Sequence, residues 1–252
     1  MTHQKRGARQ RLDGVLVERG LAPSREQAGR IILAGLVTVD GVTVDKRAKL
    51  VEESATIIVS PLAAPYVSRS GEKLAAALDV FQLSCEGAVA MDIGASTGGF
   101  TDCLLQRGVR RVYAVDVGYG QLDWRLRNDP RVVVLERCNI RHLVAEVIPD
   151  QITFSVIDVS FISLKLVLPC VIKFLAEQAV VIALVKPQFE AGIKQVGRGG
   201  IVRDEMVREA VIDNTKGIAE KLGFLCLGHL DSPVFGKKGN REMLLVLQWL
   251  SR

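Results

Sequence analysis

A chain of 252 residues with 48% hydrophobic side chains has ample apolar mass for one large core or two smaller ones, yet its longest apolar run, Ala179 to Val185, is far too short to span a bilayer. No apolar stretch follows the basic N-terminus "MTHQKRGARQRL", and five scattered cysteines without CxxC spacing form no metal pattern with three histidines, so a cytoplasmic protein with free thiols and no metal is expected. The formal charge of +5 is unevenly placed: residues 1–30 hold seven Lys/Arg against three Asp/Glu, which suggests a phosphate-facing end.

In chain order, "RLDGVLVERG" sets Leu12, Val15 and Leu16 on one helical face and stops at Gly20. A second helix begins at the capping box Ser24 to Gln27, turns Ala28, Ile31 and Ile32 inward and ends at Gly35. "VTVDGVTV" reads as two alternating strands around Asp40-Gly41, a dipeptide favoured in type I′ hairpin turns. Residues 1–60 thus form a two-helix, one-hairpin module, and the prolines of "SPLAAPYV" mark a linker over 61–67. From 68 to 252, β-rich runs at 88–93, 110–117, 131–136, 152–159, 178–186, 224–230 and 242–249 alternate with helical patterns, the clearest of them 203–222. Such alternation specifies a doubly wound α/β parallel sheet with helices on both faces.

The stretch "RLDGVLVERGLAPSREQAGRIILAGLVTVDGVTVDK" resembles the S4 RNA-binding domain. The resemblance implies a small α+β domain whose helical face, carrying Arg11, Arg25 and Arg30 with Lys46 and Arg47 beside it, is set against structured RNA.

The glycine-rich turn Asp92-Ile-Gly94-Ala-Ser96-Thr97-Gly98-Gly99 follows a strand and opens a helix at Phe100. A phosphate loop would need a lysine after the glycines, and a dinucleotide fingerprint a glycine two residues after the first; neither is present. The DxGxxxGG pattern is similar to motif I of Rossmann-type methyltransferases, in which glycines let the backbone approach the methionine part of S-adenosylmethionine and Asp92 can orient the loop or the amino group. About 24 residues on, Asp116 ends a strand beside Val117, where a carboxylate can accept both ribose hydroxyls. Cys138, Asn139 and Ile140 come after the third strand, positioned to flank the adenine.

Residues after the fourth strand narrow the acceptor. No (D/N/S)PP(Y/F) stretch of base amino-group methylases is there, and Cys170 of "VLPC" falls in a helical segment; Asp158 of "VIDVSF" is there instead, also a candidate at the cofactor. Lys73, Asp158, Lys186 and Glu242 match in order and context the K-D-K-E tetrad of FtsJ-like RNA ribose 2′-O-methyltransferases, and with the S4 module the chain resembles the hemolysin A/TlyA family of rRNA methyltransferases from about residue 5 to its end. The resemblance implies a Rossmann-type, S-adenosylmethionine-dependent domain methylating ribosomal RNA or a ribosomal subunit, with Lys186 handling the 2′-OH proton in its neutral form and the two carboxylates holding the lysines. A hydroxyl found in RNA and not in DNA agrees with an RNA-reading module. The Gly-rich basic loop after Lys186 is a candidate lid, with Lys194 and Arg198 near phosphates. Two competing readings are a non-catalytic RNA-binding or ribosome-assembly factor, against which an intact tetrad argues, and a membrane-lytic hemolysin, which lacks a membrane-competent segment.

Overall fold

The structure, a computed structural model, describes residues 9–60, 65–192, 195–197, 199–236 and 239–250. It divides into two compact units, Met1–Arg69 and Ser70–Arg252. The expected linker over 61–67 includes residues 61–64, which lie outside the described ones.

In the first unit β1 (Arg9–Arg11) runs into α1 (Leu12–Glu18), and α2 (Arg25–Leu33) comes next, capped by the Ser24 hydroxyl, which accepts from the Gln27 N–H at 3.2 Å. The hairpin β2 (Val37–Val39) and β3 (Val42–Val44) pairs Val37 with Val44 and Val39 with Val42. Asp40 at φ +50 and Gly41 at φ +77 turn it, both left-handed as a type I′ turn demands. Three further strands go beyond the expected single hairpin: β1 pairs with β4 (Leu50–Glu52), and β5 (Ile57–Val59) adds to β2. At three residues each they are too short for alternation to declare itself. Leu12, Val15 and Leu16 of α1, Ala28 and Ile32 of α2, and the strand valines 37, 39, 44 and 51 share one core, with Ile31 only partly covered.

The second unit opens with α3 (Ser70–Val80). Its sheet comprises β6 (Val89–Ile93), β7 (Arg111–Val115), β8 (Val132–Leu135), β9 (Ile152–Ile157), β10 (Leu175–Val185), β11 (Phe224–Asp231) and β12 (Met243–Trp249), in the order β11-β12-β10-β9-β6-β7-β8. The intervening helices are α4 (Gly99–Gln106), α5 (Trp124–Arg127), α6 (Leu164–Val171), α7 (Pro187–Glu190) and α8 (Glu205–Leu222). Val89, Met91 and Ile93 of β6 join Leu164, Val167 and Leu168 of α6 and Val211 and Ile212 of α8 in one core, whereas α3 and α4 pack on each other outside it. Helices therefore cover both faces.

The sheet departs from the expected all-parallel arrangement at one strand. β12 runs antiparallel between β10 and β11, because the link over 232–242 contains no α-helix among its described residues and a parallel return needs a crossover. Strand order reverses between β6 and β9, and the C-terminal ends of strands flanking such a switch form the ligand crevice of doubly wound sheets.

Ile157 ends β9 fully buried, one residue before Asp158. Ile157→Ala is expected to cost about 2–5 kcal/mol, the usual range for emptying such a site, read as a lower urea midpoint at unchanged slope.

Candidate active site

The four tetrad residues stand at the C-terminal edge of the sheet and at α3, joined as two ion pairs. Lys73, on α3, places Nζ 2.6 Å from Glu242 Oε2, and Lys186, just past β10, places Nζ 2.6 Å from Asp158 Oδ1, just past β9. Lys73, Glu242 and Lys186 are buried. Lys186 Nζ also donates to Ser160 Oγ at 3.0 Å. The reversed strand explains how Glu242 arrives here: Met243 pairs with Val185 across β12 and β10, so the residue before one lies beside the residue after the other. A Cβ at Gly236 would run into the Glu242 carboxylate, so a larger residue there would have to displace the side chain that pairs with Lys73.

The glycine turn is built between the same strand ends. Gly94, at φ +85, extends β6 by donating to Val115 O at 2.8 Å, and a Cβ there would collide with the Asp158 carbonyl oxygen. Gly98 is the left-handed N-cap of α4, and Gly99 and Phe100 open that helix buried. The exposed Ser96 and half-buried Thr97 lie between. Asp116 ties this turn to the next loop: its Oδ2 accepts from the Ser96 N–H at 2.8 Å and its Oδ1 from the Gly118 N–H at 2.6 Å. Val117 beside it is exposed, and Cys138 donates its N–H to Asp116 O at 2.9 Å, which brings the Cys138-Asn139-Ile140 segment to the same edge. With Asp158 past β9, the sequence-predicted cofactor residues are thus gathered along the four neighbouring strand ends of β9, β6, β7 and β8.

Asp92 is fully buried beneath the turn. Its Oδ2 accepts from the Thr101 hydroxyl at 2.6 Å, while its Oδ1 has no hydrogen-bond partner among the described residues. Burial pushes its acid up to about 7; the Thr101 hydroxyl and N–H oppose the rise, and the charges of Asp158 and Asp116 add to it.

Several residues at this edge escaped the sequence reading. Phe161 stands 90% exposed at φ +64, its ring 5.1 Å from that of Phe189. Glu190 accepts from Ser163 Oγ at 2.6 Å and from the Leu164 N–H at 2.8 Å. Asn240 is buried, accepting from the Val202 N–H at 3.0 Å and donating to Gly200 O at 2.8 Å, so it holds the far end of the Gly-rich segment. None has a local sequence signature, because each partner lies at least 26 residues away. The candidate lid residues Lys194 and Arg198 lie outside the described residues.

In the first unit the expected RNA-facing cations are exposed but not equivalent. Arg11 grips Asp13 at 2.6 Å, holding that carboxyl below the ordinary range mainly through the hydrogen bond, and Arg30 pairs with Glu26 at 2.6 Å. Arg25 lies over Gly14 and Arg47 over Gly29, with Lys46 exposed beside it. Arg11 and Arg25 line a cavity of about 460 Å³ together with Gln10, Gly14, Val17 and Glu18.

The raised Asp92 acid sets a pH dependence. Its folded-state value lies above the unfolded one near ~3.9, so the folded chain binds more protons between the two and stability declines as pH rises through that window. Asp92→Asn removes the ionisation. Urea melts are expected to show the variant gaining on the wild type, by on the order of 1–4 kcal/mol, between about pH 4 and about pH 8; a pH-independent difference would contradict the assignment.

The model of the FtsJ-like methyltransferase family matches residues 66–249, and that of the S4 domain residues 10–57. The chain is 46% identical to the 16S/23S rRNA (cytidine-2′-O)-methyltransferase TlyA of Mycobacterium tuberculosis over 95% of this chain and 90% of that protein. It is 43% identical to Hemolysin A of Brachyspira hyodysenteriae over 93% and 98%. Among solved structures, a candidate hemolysin from Streptococcus thermophilus superposes with a TM-score of 0.76 at 43% identity, covering 96% of this chain and 89% of that one. With an FtsJ-like domain over most of its length, an S4 domain before it and relatives of this identity along nearly the whole chain, the protein belongs to the hemolysin A/TlyA family of FtsJ-like methyltransferases.

Proposed function

We propose that the protein is an S-adenosylmethionine-dependent rRNA methyltransferase that modifies a ribose 2′-hydroxyl, with the S4 domain contributing RNA affinity. The observation that carries this reading is the pair of short ion pairs, Lys73–Glu242 and Lys186–Asp158, at the sheet edge that also bears the glycine turn. The curated TlyA relative, which methylates a cytidine 2′-O by its name, supports the same substrate class.

The residues present suit the cofactor. An orphaned buried acceptor, Asp92 Oδ1, calls for a donor such as an ammonium, and Gly94 brings backbone to where no side chain could stand. Asp92, Gly94, Ser96 to Phe100, Asp116, Val117 and Cys138 to Ile140 would hold the cofactor, with Asp158 closing the site. When bound it supplies the methyl group on a sulfonium, a leaving arrangement that needs no metal. Among the described residues no group of three or more His, Cys, Asp or Glu side chains could hold a metal ion.

Lys186 Nζ, held between Asp158 and Ser160, is the group that receives the proton of the target 2′-OH. Lys73, fixed by Glu242, supplies a stationary positive charge for the oxygen as it loses that proton. The exposed ring of Phe161 offers a stacking face to an unstacked base. No helix among the described residues is long and apolar enough to cross a membrane.

Lys186→Ala is expected to lower single-turnover methyl transfer roughly 10²–10⁴-fold with cofactor and RNA affinities nearly intact, and Lys186→Arg not to rescue it, since a guanidinium stays protonated. Transfer to a substrate with deoxyribose at the target would overturn the ribose assignment. For the first unit, RNA affinity of the full chain should fall steeply with salt, and Arg25→Ala should reduce the slope of log K against log salt by about 1; an unchanged slope would return Arg25 to a solvated surface.

A further inference from the structure

The loops that carry Asp158 and Lys186 are joined well beyond their ion pair. After β9 the chain runs from Asp158 to Ser163 and into α6; after β10 it runs from Lys186 to Glu190. Lys186 reaches Asp158 at 2.6 Å and Ser160 at 3.0 Å, Phe189 meets Phe161 at 5.1 Å, and Glu190 takes Ser163 Oγ at 2.6 Å and the Leu164 N–H at 2.8 Å. The contacts advance in step along both loops, so the two lie side by side with Glu190 as the outermost link.

Glu190 ties its loop to a rigid anchor. Leu164, Val167, Leu168 and Val171 of α6 are all buried in the main core, whereas α7 is a single turn that leads at once to Ala191 and Gly192. Without Glu190 the Lys186 loop keeps its strand end, the buried Pro187, the packing of α7 on α8 and of Ala191 on the main core, but loses its polar tie to the N-terminus of α6 beside Asp158. The helix does not need this carboxylate as its cap, because Ser163 Oγ already accepts from the Lys165 N–H at 3.2 Å. Burial raises the Glu190 acid above the ordinary carboxylate range, opposed by the Ser163 and Leu164 bonds, as for a group taken out of water and compensated by specific donors.

We propose that Glu190 is a positioning residue for methyl transfer: by clasping Ser163 and the Leu164 N–H at the N-terminus of α6, it fixes the Lys186 loop against the Asp158 loop and so sets where Lys186 Nζ meets the target hydroxyl. This role rests on the protein being a ribose methyltransferase. The clasp acts on the chemical step and leaves binding of cofactor and RNA to other residues.

The test is single-turnover transfer from labelled S-adenosylmethionine to ribosomal subunits from cells lacking the protein, alongside direct binding of S-adenosylhomocysteine and rRNA. Glu190→Ala is expected to slow transfer roughly 10- to 100-fold, the scale of a misplacement of about an ångström, with both affinities at wild-type values. Glu190→Gln should recover most of the rate, because its amide oxygen can accept from the Leu164 N–H and its NH2 can donate to Ser163 Oγ. If Glu190→Ala does not fold, Ser163→Ala, which removes one of the two donors, must show the same split. A wild-type rate in Glu190→Ala, a loss that only tracks weakened binding, or no recovery in Glu190→Gln overturns the clasp. Should the wild type itself leave the ribose unmethylated, the methyltransferase reading falls and the role of Glu190 with it, a result distinct from a wild type that transfers and variants that match it.

Discussion

The buried Lys73–Glu242 pair closes 169 residues of chain, from a helix ahead of the sheet to the start of its last strand. Removing two charges from water costs several kcal/mol per ion, and deleting one partner of such a pair costs about 3–5 kcal/mol, so the contact contributes little net stability but tolerates little misplacement. Everything between its ends must be laid down correctly for it to form. The reversed direction of β12 is part of that requirement: a strand parallel to β10 would begin at the opposite edge and carry Glu242 away from Lys186, whereas the antiparallel register sets Met243 against Val185.

The same dependence on register runs through the rest of the site. Ile93 pairs with Ile157 across β6 and β9, so Gly94 and Asp158 leave the sheet side by side, and the missing side chain at Gly94 is what lets the Asp158 carbonyl lie against it. Because side chains alternate along a strand, a slip of one residue would turn Asp158 or Lys186 to the other face, and the filled core on both faces forbids it. Packing that fixes the strands therefore also fixes the chemistry, and side-chain contacts between loops need only correct what remains beyond the strand ends.

Features carried by local pattern were legible in the sequence: the glycine turn, the capped second helix, the Asp40-Gly41 hairpin, and the seven apolar runs that became the sheet. Strand direction was not, since β12 reads the same forwards or reversed and only the lack of an α-helix among the described residues of the preceding link marks it. The tetrad was visible through its resemblance to a known family, but its division into two pairs depends on which strand ends are neighbours. Ser163 and Glu190 escaped because an interaction between loops 26 or more residues apart leaves no periodicity. The near-neutral acid of Asp92 escaped for a related reason: it comes from burial and neighbouring carboxylates that only the folded sheet assembles.

The two units use charge in opposite ways. In the first, Arg11 and Arg30 pair locally with Asp13 and Glu26 while Arg25 and Arg47 lie over glycines, all of them exposed where a Debye length of about 8 Å at physiological salt screens them. In the second, the lysines of the site are buried against carboxylates that also fix their direction, where ions in solution reach them poorly. On the proposed function, salt sets how readily RNA is engaged and hardly touches the transfer step. On the same proposal the exposed arginines bear on affinity alone, whereas each buried lysine is committed to a single carboxylate, Lys73 from α3 to Glu242 and Lys186 from the end of β10 to Asp158.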